Sequence, residues 1–204
     1  MLSKWKITLV VVAGMIVVVL GVRAWRKPAA LPEKKPVVSG RSFGVPGARV
    51  KIVEFTDFQC PACAAASRVV HKAMQENGSK LFLELKYFPL AMHKNSRKAA
   101  LAAECAREQG RFWAMHDLLF RDQGIWAILD APEDNFLSLA RSVGIDDQKM
   151  MRCFSSVAAE KTVTEDQVEG KKFGVGATPT FFVNGKMVVG VKSLQDELKT
   201  YFPS

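Results

Sequence analysis

Two cysteines separated by two residues, Cys60 and Cys63, are the part of this sequence best suited to chemistry. They follow a β-rich apolar run at residues 50–55 and precede a helical pattern of alanine and valine, which predicts a strand-to-helix junction. The positive end of a helix dipole stabilises a thiolate and lowers the pKa of a cysteine placed there. Pro61 suits the first helical turn, where its missing N–H is not needed. We therefore predict that Cys60 is the exposed nucleophile and that Cys63 resolves a mixed disulfide on it.

The same cysteine pair could instead be two buried small side chains or half of a metal site. A zinc ribbon needs a second CxxC or a nearby Cys/His pair, and the sequence contains neither. The three histidines, His71, His93 and His116, show no ligand spacing with any cysteine. His93 and His116 are expected to satisfy helix backbone groups. The sequence therefore predicts no metal and no cofactor.

Hydrophobic periodicity predicts a strand–helix–strand unit around the CxxC, a helical block, and a return to strands. Residues 50–55 and 81–88 form the first two strands, which are parallel because a helix crosses between them. Asn184-Gly185 between two apolar runs is a strong hairpin signal. The remaining segments are helices at 96–108, 111–121, 132–143 and 146–173, strands at 180–183 and 187–189, and a last helix from about Ser193 to Tyr201. The helix over 146–173 is long enough to kink or divide. This order predicts one α/β layer interrupted by helices.

The positive charge of the chain is concentrated at its N-terminus. The formal net charge is +9, and residues 1–42 hold eight Lys or Arg against one acid, Glu33, which leaves +2 for residues 43–204. A nearly neutral folded part does not favour binding to phosphate backbones. We therefore expect no nucleic-acid partner.

Residues 7–22 carry no charge and are flanked by Trp5 and Trp25, which is typical of a membrane-spanning segment with interfacial tryptophans. The segment lacks the small-residue pattern of a cleavage site, so residues 1–25 are predicted to be an uncleaved transmembrane signal-anchor rather than a cleaved signal peptide. Residues 26–42 contain several prolines and lysines and are predicted to be a linker.

The charges that flank the apolar segment are nearly balanced, so they do not decide its orientation. The even cysteine count fits an oxidising compartment. We therefore expect a single-pass protein of the inner (cytoplasmic) membrane, with its catalytic domain in the periplasm or another extracytoplasmic space.

Four segments in order and with suitable spacing give a resemblance to a known family. Residues 55–63 (FTDFQCPAC), 88–90 (FPL) with His93, 109–113 (QGRFW) and 177–185 (ATPTFFVNG) resemble the DsbA-like thioredoxin family, over residues 43–202. The resemblance implies a thioredoxin fold with an inserted α-helical domain, here preceded by the membrane helix. The thioredoxin-like domain would comprise residues 43–92 and 174–204, and the insertion residues 93–173.

The resemblance also implies roles for three residues outside the CxxC. Pro179 matches the family's cis-proline, which faces the active disulfide, and Thr178 matches the variable residue before it, which tunes redox potential and substrate release. Glu54, six residues before Cys60, matches the buried acid that exchanges a proton with Cys63. The alternative for Glu54 is a solvent-exposed carboxylate on an edge strand.

Cys105 and Cys153 lie in predicted helices of the insertion. Several members of the family carry a structural disulfide there, and the resemblance implies the same pair here. The alternatives are two separate buried thiols or a redox-active relay.

The resemblance implies a protein thiol:disulfide oxidoreductase that acts on unfolded or folding secreted proteins. Strongly oxidising members carry histidine before the second cysteine, whereas this sequence has Ala62, which weakens the expectation of a strong oxidant. We favour an oxidase that a quinone-linked membrane partner reoxidises. The alternatives are a membrane-anchored reductase or isomerase fed by a reductant-supplying membrane protein, and a non-catalytic peptide-binding or chaperone module.

Overall fold

A six-stranded mixed sheet organises this protein, whose computed structural model describes residues 37–203. The strands are β1 (Val37–Ser39), β2 (Ser42–Gly44), β3 (Val50–Thr56), β4 (Leu81–Tyr87), β5 (Thr180–Val183) and β6 (Lys186–Val189). Their order across the sheet is β1-β2-β4-β3-β5-β6, so β3 and β4 occupy the centre. These two strands are parallel, and every other neighbouring pair is antiparallel.

Helices connect the strands and fill the long interval between β4 and β5. They are α1 (Pro61–Asn77), α2 (Ser96–Glu108), α3 (Phe112–Arg121), α4 (Gln123–Trp126), α5 (Glu133–Ser142), α6 (Asp147–Phe154), α7 (Val157–Lys172) and α8 (Gly190–Tyr201). Crossover helix α1 makes β3 and β4 parallel, as predicted. The short helix α4 was not predicted, because four residues do not establish a helical period.

The segment over 146–173 is divided rather than kinked. The side chain of Asp146 caps α6 by accepting a hydrogen bond from the Lys149 N–H, and Ser156 caps α7 in the same way from Ala159. Each cap satisfies a backbone donor that a helix start leaves unpaired. Two N-caps ten residues apart therefore produce two helices.

The hairpin between β5 and β6 shows the predicted turn. Asn184 and Gly185 adopt positive φ angles of 49° and 86°. Positive φ at both central residues is the requirement of a type I′ turn, whose twist matches that of the strands. The first strand of this hairpin, β5, pairs with β3.

Two large apolar clusters support the sheet and the helices. One packs β3, β4 and β5 against α1 and α8, and includes Ile52, Val70, Leu81, Phe181 and Leu194. The other fills the helical region and also contains Phe58, Cys60 and Cys63. The CxxC therefore lies where the two cores meet.

The linker interpretation is wrong for residues 37–42. Val37 pairs with Gly44, and Ser42 pairs with Glu84 of β4, so strands begin inside the segment that was assigned to the linker. Three-residue strands are too short to show alternation, and they form here because β4 offers an otherwise unpaired edge. The predicted membrane helix and the rest of the linker lie outside the described residues. Within residues 37–203, no helix is both long and apolar enough to cross a membrane.

Candidate active site

Cys60 is the residue from which helix α1 begins. Its backbone is extended (φ −79°, ψ 120°), its side chain caps no backbone group, and Pro61 starts the helix. The first-turn N–H groups, which an N-cap side chain often occupies, therefore remain available to the Cys60 sulfur. Cys60 exposes 8% of its surface and Cys63 none, so Cys60 is nearer to solvent, although it is more covered than the exposed nucleophile that we expected.

The surroundings of Cys60 stabilise its thiolate. A hydrogen bond from the Cys63 thiol is the largest influence; the N–H groups of Cys63 and Ala62 and the Thr178 side chain act in the same direction against the effect of burial. Together they lower the pKa of Cys60 to about 5. Cys60 is therefore mostly ionised at neutral pH.

Cys63 is held in the opposite state. Burial raises the pKa of Cys63, and the hydrogen bond to the Cys60 thiolate raises it further. The backbone N–H of Asp57 lies 3.5 Å from Cys63 Sγ. Cys63 is therefore a neutral thiol that must lose its proton before it attacks a disulfide.

The peptide bond between Thr178 and Pro179 is cis, as the family resemblance implied. The Sγ atom of Cys60 lies 3.4 Å from the carbonyl oxygen of Thr178, within reach of a thiol donor. The Thr180 hydroxyl donates to the Ala177 carbonyl and the Gly190 N–H donates to the Pro179 carbonyl, and both bonds fix the loop. Thr178 and Pro179 are thus brought opposite the reactive sulfur.

Glu54 lies on central strand β3 and exposes 1% of its surface. The alternative of a solvent-exposed edge carboxylate is therefore wrong. Burial raises the pKa of Glu54 to about 7, although the Thr56 side chain acts in the opposite direction. Its Oε1 atom has no hydrogen-bond partner among residues 37–203, and its side chain lines a cavity of about 180 Å³. A carboxyl group with this pKa can give or take a proton near neutral pH.

Asp57 holds the active-site loop, and the sequence reasoning missed it. Its buried carboxylate accepts hydrogen bonds from the N–H groups of Gln59 and Leu90 and from the Ser96 hydroxyl, and lies 2.7 Å from Nδ1 of His93. His93 therefore contacts this carboxylate rather than satisfying helix backbone. The available signal was an aspartate two residues before Gln59, the spacing of an Asx-turn.

Glutamine side chains attach the same loop to the helical region. Gln123 of α4 donates to the carbonyl oxygens of Phe58 (2.7 Å) and Cys60 (3.1 Å). Gln59 donates to the Ala127 carbonyl and accepts from the Asn95 N–H. The helical region thus positions the backbone that carries Cys60.

Cys105 of α2 and Cys153 of α6 are joined by a disulfide, with Cα atoms 5.5 Å apart. Cys105 is fully buried and Cys153 exposes 6% of its surface. A sulfur that a substrate thiol cannot reach exchanges slowly. These positions suit a structural bond better than a relay.

These features together define a class of protein. A parallel β–α–β unit with a CxxC at the helix N-terminus, a cis-proline opposite it and an antiparallel hairpin beyond constitute a thioredoxin fold. A family model described as Thioredoxin matches residues 37–201, and the chain belongs to this family.

Solved structures of thiol–disulfide oxidoreductases share the fold. A thioredoxin-like oxidoreductase from Silicibacter pomeroyi DSS-3 is 26% identical, with a TM-score of 0.64, over 85% of this chain and 95% of that one. Wolbachia pipientis alpha-DsbA1 (20% identical, TM-score 0.69, 84% and 90%) and Bacillus subtilis BdbD (24%, 0.67, 82% and 96%) share the fold. The resemblance to DsbA-like proteins is therefore confirmed.

Curated relatives include much longer proteins. The Na(+)/H(+) antiporter NhaA 1 of Mycolicibacterium gilvum (strain PYR-GCK) is 31% identical over 166 residues, which are 78% of this chain and 26% of that protein. NhaA 3 of Salinispora tropica is 32% identical over 140 residues, which are 68% of this chain and 21% of that protein. This chain spans about a quarter of the length of these relatives.

Proposed function

We propose that this protein is a DsbA-like oxidase that introduces disulfides into extracytoplasmic proteins. The observation that carries the proposal is the Cys60 thiolate, whose pKa is lowered to about 5 at the start of α1. A stabilised thiolate stabilises the reduced enzyme, and this makes the Cys60–Cys63 disulfide more oxidising. The Cys63 thiol provides most of this stabilisation and backbone N–H groups add to it, although Ala62 replaces histidine.

The reaction proceeds by two thiol–disulfide exchanges. A substrate thiolate attacks Cys60 Sγ, the bond to Cys63 breaks, and Cys63 leaves with the electron pair and takes up a proton. A second substrate thiolate then attacks the substrate sulfur of the mixed disulfide, and Cys60 leaves as a thiolate. The substrate is oxidised by two electrons and the enzyme is reduced by two. A low pKa makes Cys60 a good leaving group in the second step.

Exposed apolar side chains lie in the segments that contact the active-site loop, and they suit a polypeptide substrate. Met92, Ile125 and Ile128 expose 82%, 57% and 75% of their surfaces. Met92 precedes His93, which contacts Asp57, and the other two lie in the segment that Gln59 and Gln123 attach to the active-site loop. Exposed apolar side chains near a reactive disulfide favour unfolded chains, whose apolar residues are accessible.

The proposal includes a membrane setting. Residues 1–25 would anchor the protein in the inner membrane, with the catalytic domain outside the cytoplasm, near a quinone-linked partner that reoxidises Cys60 and Cys63. The support is the apolar run at 7–22 and the presence of a disulfide, which persists in oxidising compartments.

A redox titration of the Cys60–Cys63 pair tests the direction of catalysis. We expect a potential above about −200 mV, nearer to that of DsbA than to the roughly −270 mV of thioredoxin. Cys60→Ala should abolish the oxidation of a reduced, unfolded protein substrate, whereas the control Cys105→Ser/Cys153→Ser should retain it. A potential near that of thioredoxin would favour the reductase alternative. Full turnover by Cys60→Ala would contradict the assigned nucleophile.

A further inference from the structure

Thr56 is a buried hydroxyl residue on the strand that carries Glu54, next to the residue whose N–H lies against Cys63. It lies two residues after Glu54 on β3, so both side chains project from the same face of the strand. The backbone N–H of the next residue, Asp57, lies 3.5 Å from Cys63 Sγ. The three side chains are nearly inaccessible: Glu54 and Thr56 expose 1% of their surfaces and Cys63 none.

The hydroxyl of Thr56 is buried without a hydrogen-bond partner in the described part of the chain. Neither Thr56 Oγ1 nor Glu54 Oε1 has a hydrogen-bond partner of normal geometry among residues 37–203. A buried polar atom without a partner costs free energy, and such atoms often have a catalytic role. Burial is the largest influence on the pKa of both Glu54 and Cys63, and the Thr56 side chain lowers both values against it.

We propose that the Thr56 hydroxyl relays the proton between the Glu54 carboxyl group and the Cys63 sulfur. This inference rests on the exchange chemistry proposed above and adds a proton-transferring residue to it. Glu54 alone would need direct contact with Cys63, whereas a hydroxyl both donates and accepts and can connect the two.

The proton transfer balances with the disulfide exchange. When a substrate thiolate attacks Cys60, the Cys60–Cys63 bond breaks and Cys63 leaves as a thiolate. Thr56 Oγ–H donates its proton to Cys63 Sγ while the Glu54 carboxyl group donates its own proton to Thr56 Oγ. The products are a Cys63 thiol, an unchanged threonine and a Glu54 carboxylate. During reoxidation the proton moves in the reverse direction, and Cys63 becomes able to attack.

The experiment separates the step that needs the relay from the step that does not. Reduced enzyme is mixed with excess oxidised glutathione, quenched with acid, and analysed by mass. Attack of the Cys60 thiolate on the glutathione disulfide is bimolecular, releases one glutathione thiolate and needs no proton to leave Cys63. Ring closure by Cys63 on the mixed disulfide is first-order and requires loss of its proton.

Thr56→Val keeps the branched shape and removes the hydroxyl, and Thr56→Ser keeps the hydroxyl. We expect Thr56→Val to slow ring closure about tenfold to a hundredfold at pH 7, in line with a lost general-base contribution, and to move its pH profile upward. The bimolecular step should keep its rate, and Thr56→Ser should restore ring closure. Combining Thr56→Val with Glu54→Gln should slow closure no more than the stronger single change, because both act on one path.

The relay would be overturned if the rate of ring closure in Thr56→Val stayed within twofold of the wild-type rate at every pH. Equal slowing by Thr56→Ser would also overturn it, because packing would then be the cause. If the wild type forms no mixed disulfide at all, the exchange chemistry itself fails, and the bimolecular step reveals this independently of Thr56. Urea unfolding should show Thr56→Val no less stable than the wild type, since the lost hydroxyl has no partner.

Discussion

At the scale of single residues, the two thiols of the CxxC have pKa values shifted in opposite directions by their surroundings. Cys60 and Cys63 are three residues apart, yet the pKa of Cys60 falls to about 5 while burial raises that of Cys63. The Cys63 thiol is the largest influence that lowers the pKa of Cys60, whereas burial is the largest influence that raises the pKa of Cys63. The groups that stabilise the Cys60 thiolate do not include the side chain of residue 62, so Ala62 in place of histidine leaves them intact.

Glu54 gives the residue-scale prediction. Its pKa is raised from 4.5 to about 7, so the folded protein keeps a proton that the unfolded chain releases in this interval. The stabilisation relative to Glu54→Gln is fully present below about pH 4.5 and is lost as pH rises through 7, a change of about 3 kcal/mol. Urea unfolding of reduced wild type and variant between pH 4 and 8 measures this difference.

The matched control for this prediction is Glu76→Gln. Glu76 is exposed on α1 and pairs with Lys72 at 3.8 Å. Its difference from the wild type should stay small across the same pH range, since exposed ion pairs contribute little. A flat difference for Glu54→Gln as well would show that Glu54 is accessible to water in solution.

At the scale of elements, the loop before α1 depends on groups that come from distant parts of the chain. Asp57 gathers donors from its own loop, from the segment after β4 and from the start of α2. Gln123 holds the carbonyl groups of Phe58 and Cys60 from α4. The hydrogen bonds of Asp57 and Gln123 therefore fix the backbone of the loop that carries Cys60.

Asp57→Ala is the element-scale prediction. It leaves several buried donors unpaired, so we expect the free energy of unfolding to fall by roughly 3 kcal/mol. Asp117→Ala is the control, because Asp117 is exposed and, among residues 37–203, pairs only with neighbouring His116; it should cost less than about 0.5 kcal/mol. Equal losses in the two variants, measured by urea unfolding, would contradict the structural role of Asp57.

At the scale of the whole molecule, one covalent bond ties the helical region together. Cys105 and Cys153 are 48 residues apart in sequence and join α2 to α6. Helix α2 also contacts β4, since Glu104 accepts a hydrogen bond from the Tyr87 hydroxyl at 3.0 Å. The bond therefore links two helices of the region that holds the active-site loop.

Cys105→Ser/Cys153→Ser gives the whole-molecule prediction. Loss of a cross-link over this separation should lower the free energy of unfolding by about 2–4 kcal/mol. The potential of the Cys60–Cys63 pair should not change, and this distinguishes a structural bond from a relay. Mass mapping of the wild type without reductant should find the bond, and alkylation of both cysteines under those conditions would exclude it.

Local sequence determined the elements and the position of the chemistry in this protein. The apolar run before Cys60, the helical pattern after it and the Asn184-Gly185 turn act over a few residues, so their structures could be predicted. The strands at 37–44 and helix α4 were missed because three or four residues carry no measurable period.

Only the tertiary structure decided which distant groups meet. The sequence positions of Ser96 and Gln123 do not indicate that both contact the loop of Asp57. These contacts arise from the packing of helices against the sheet. The pKa values follow from burial, which is a property of the assembled core rather than of a residue. The sequence thus predicted the CxxC as a reactive motif. The proposed proton path through Glu54 and Thr56 depends on how β3 packs against α1, which only the tertiary structure determines.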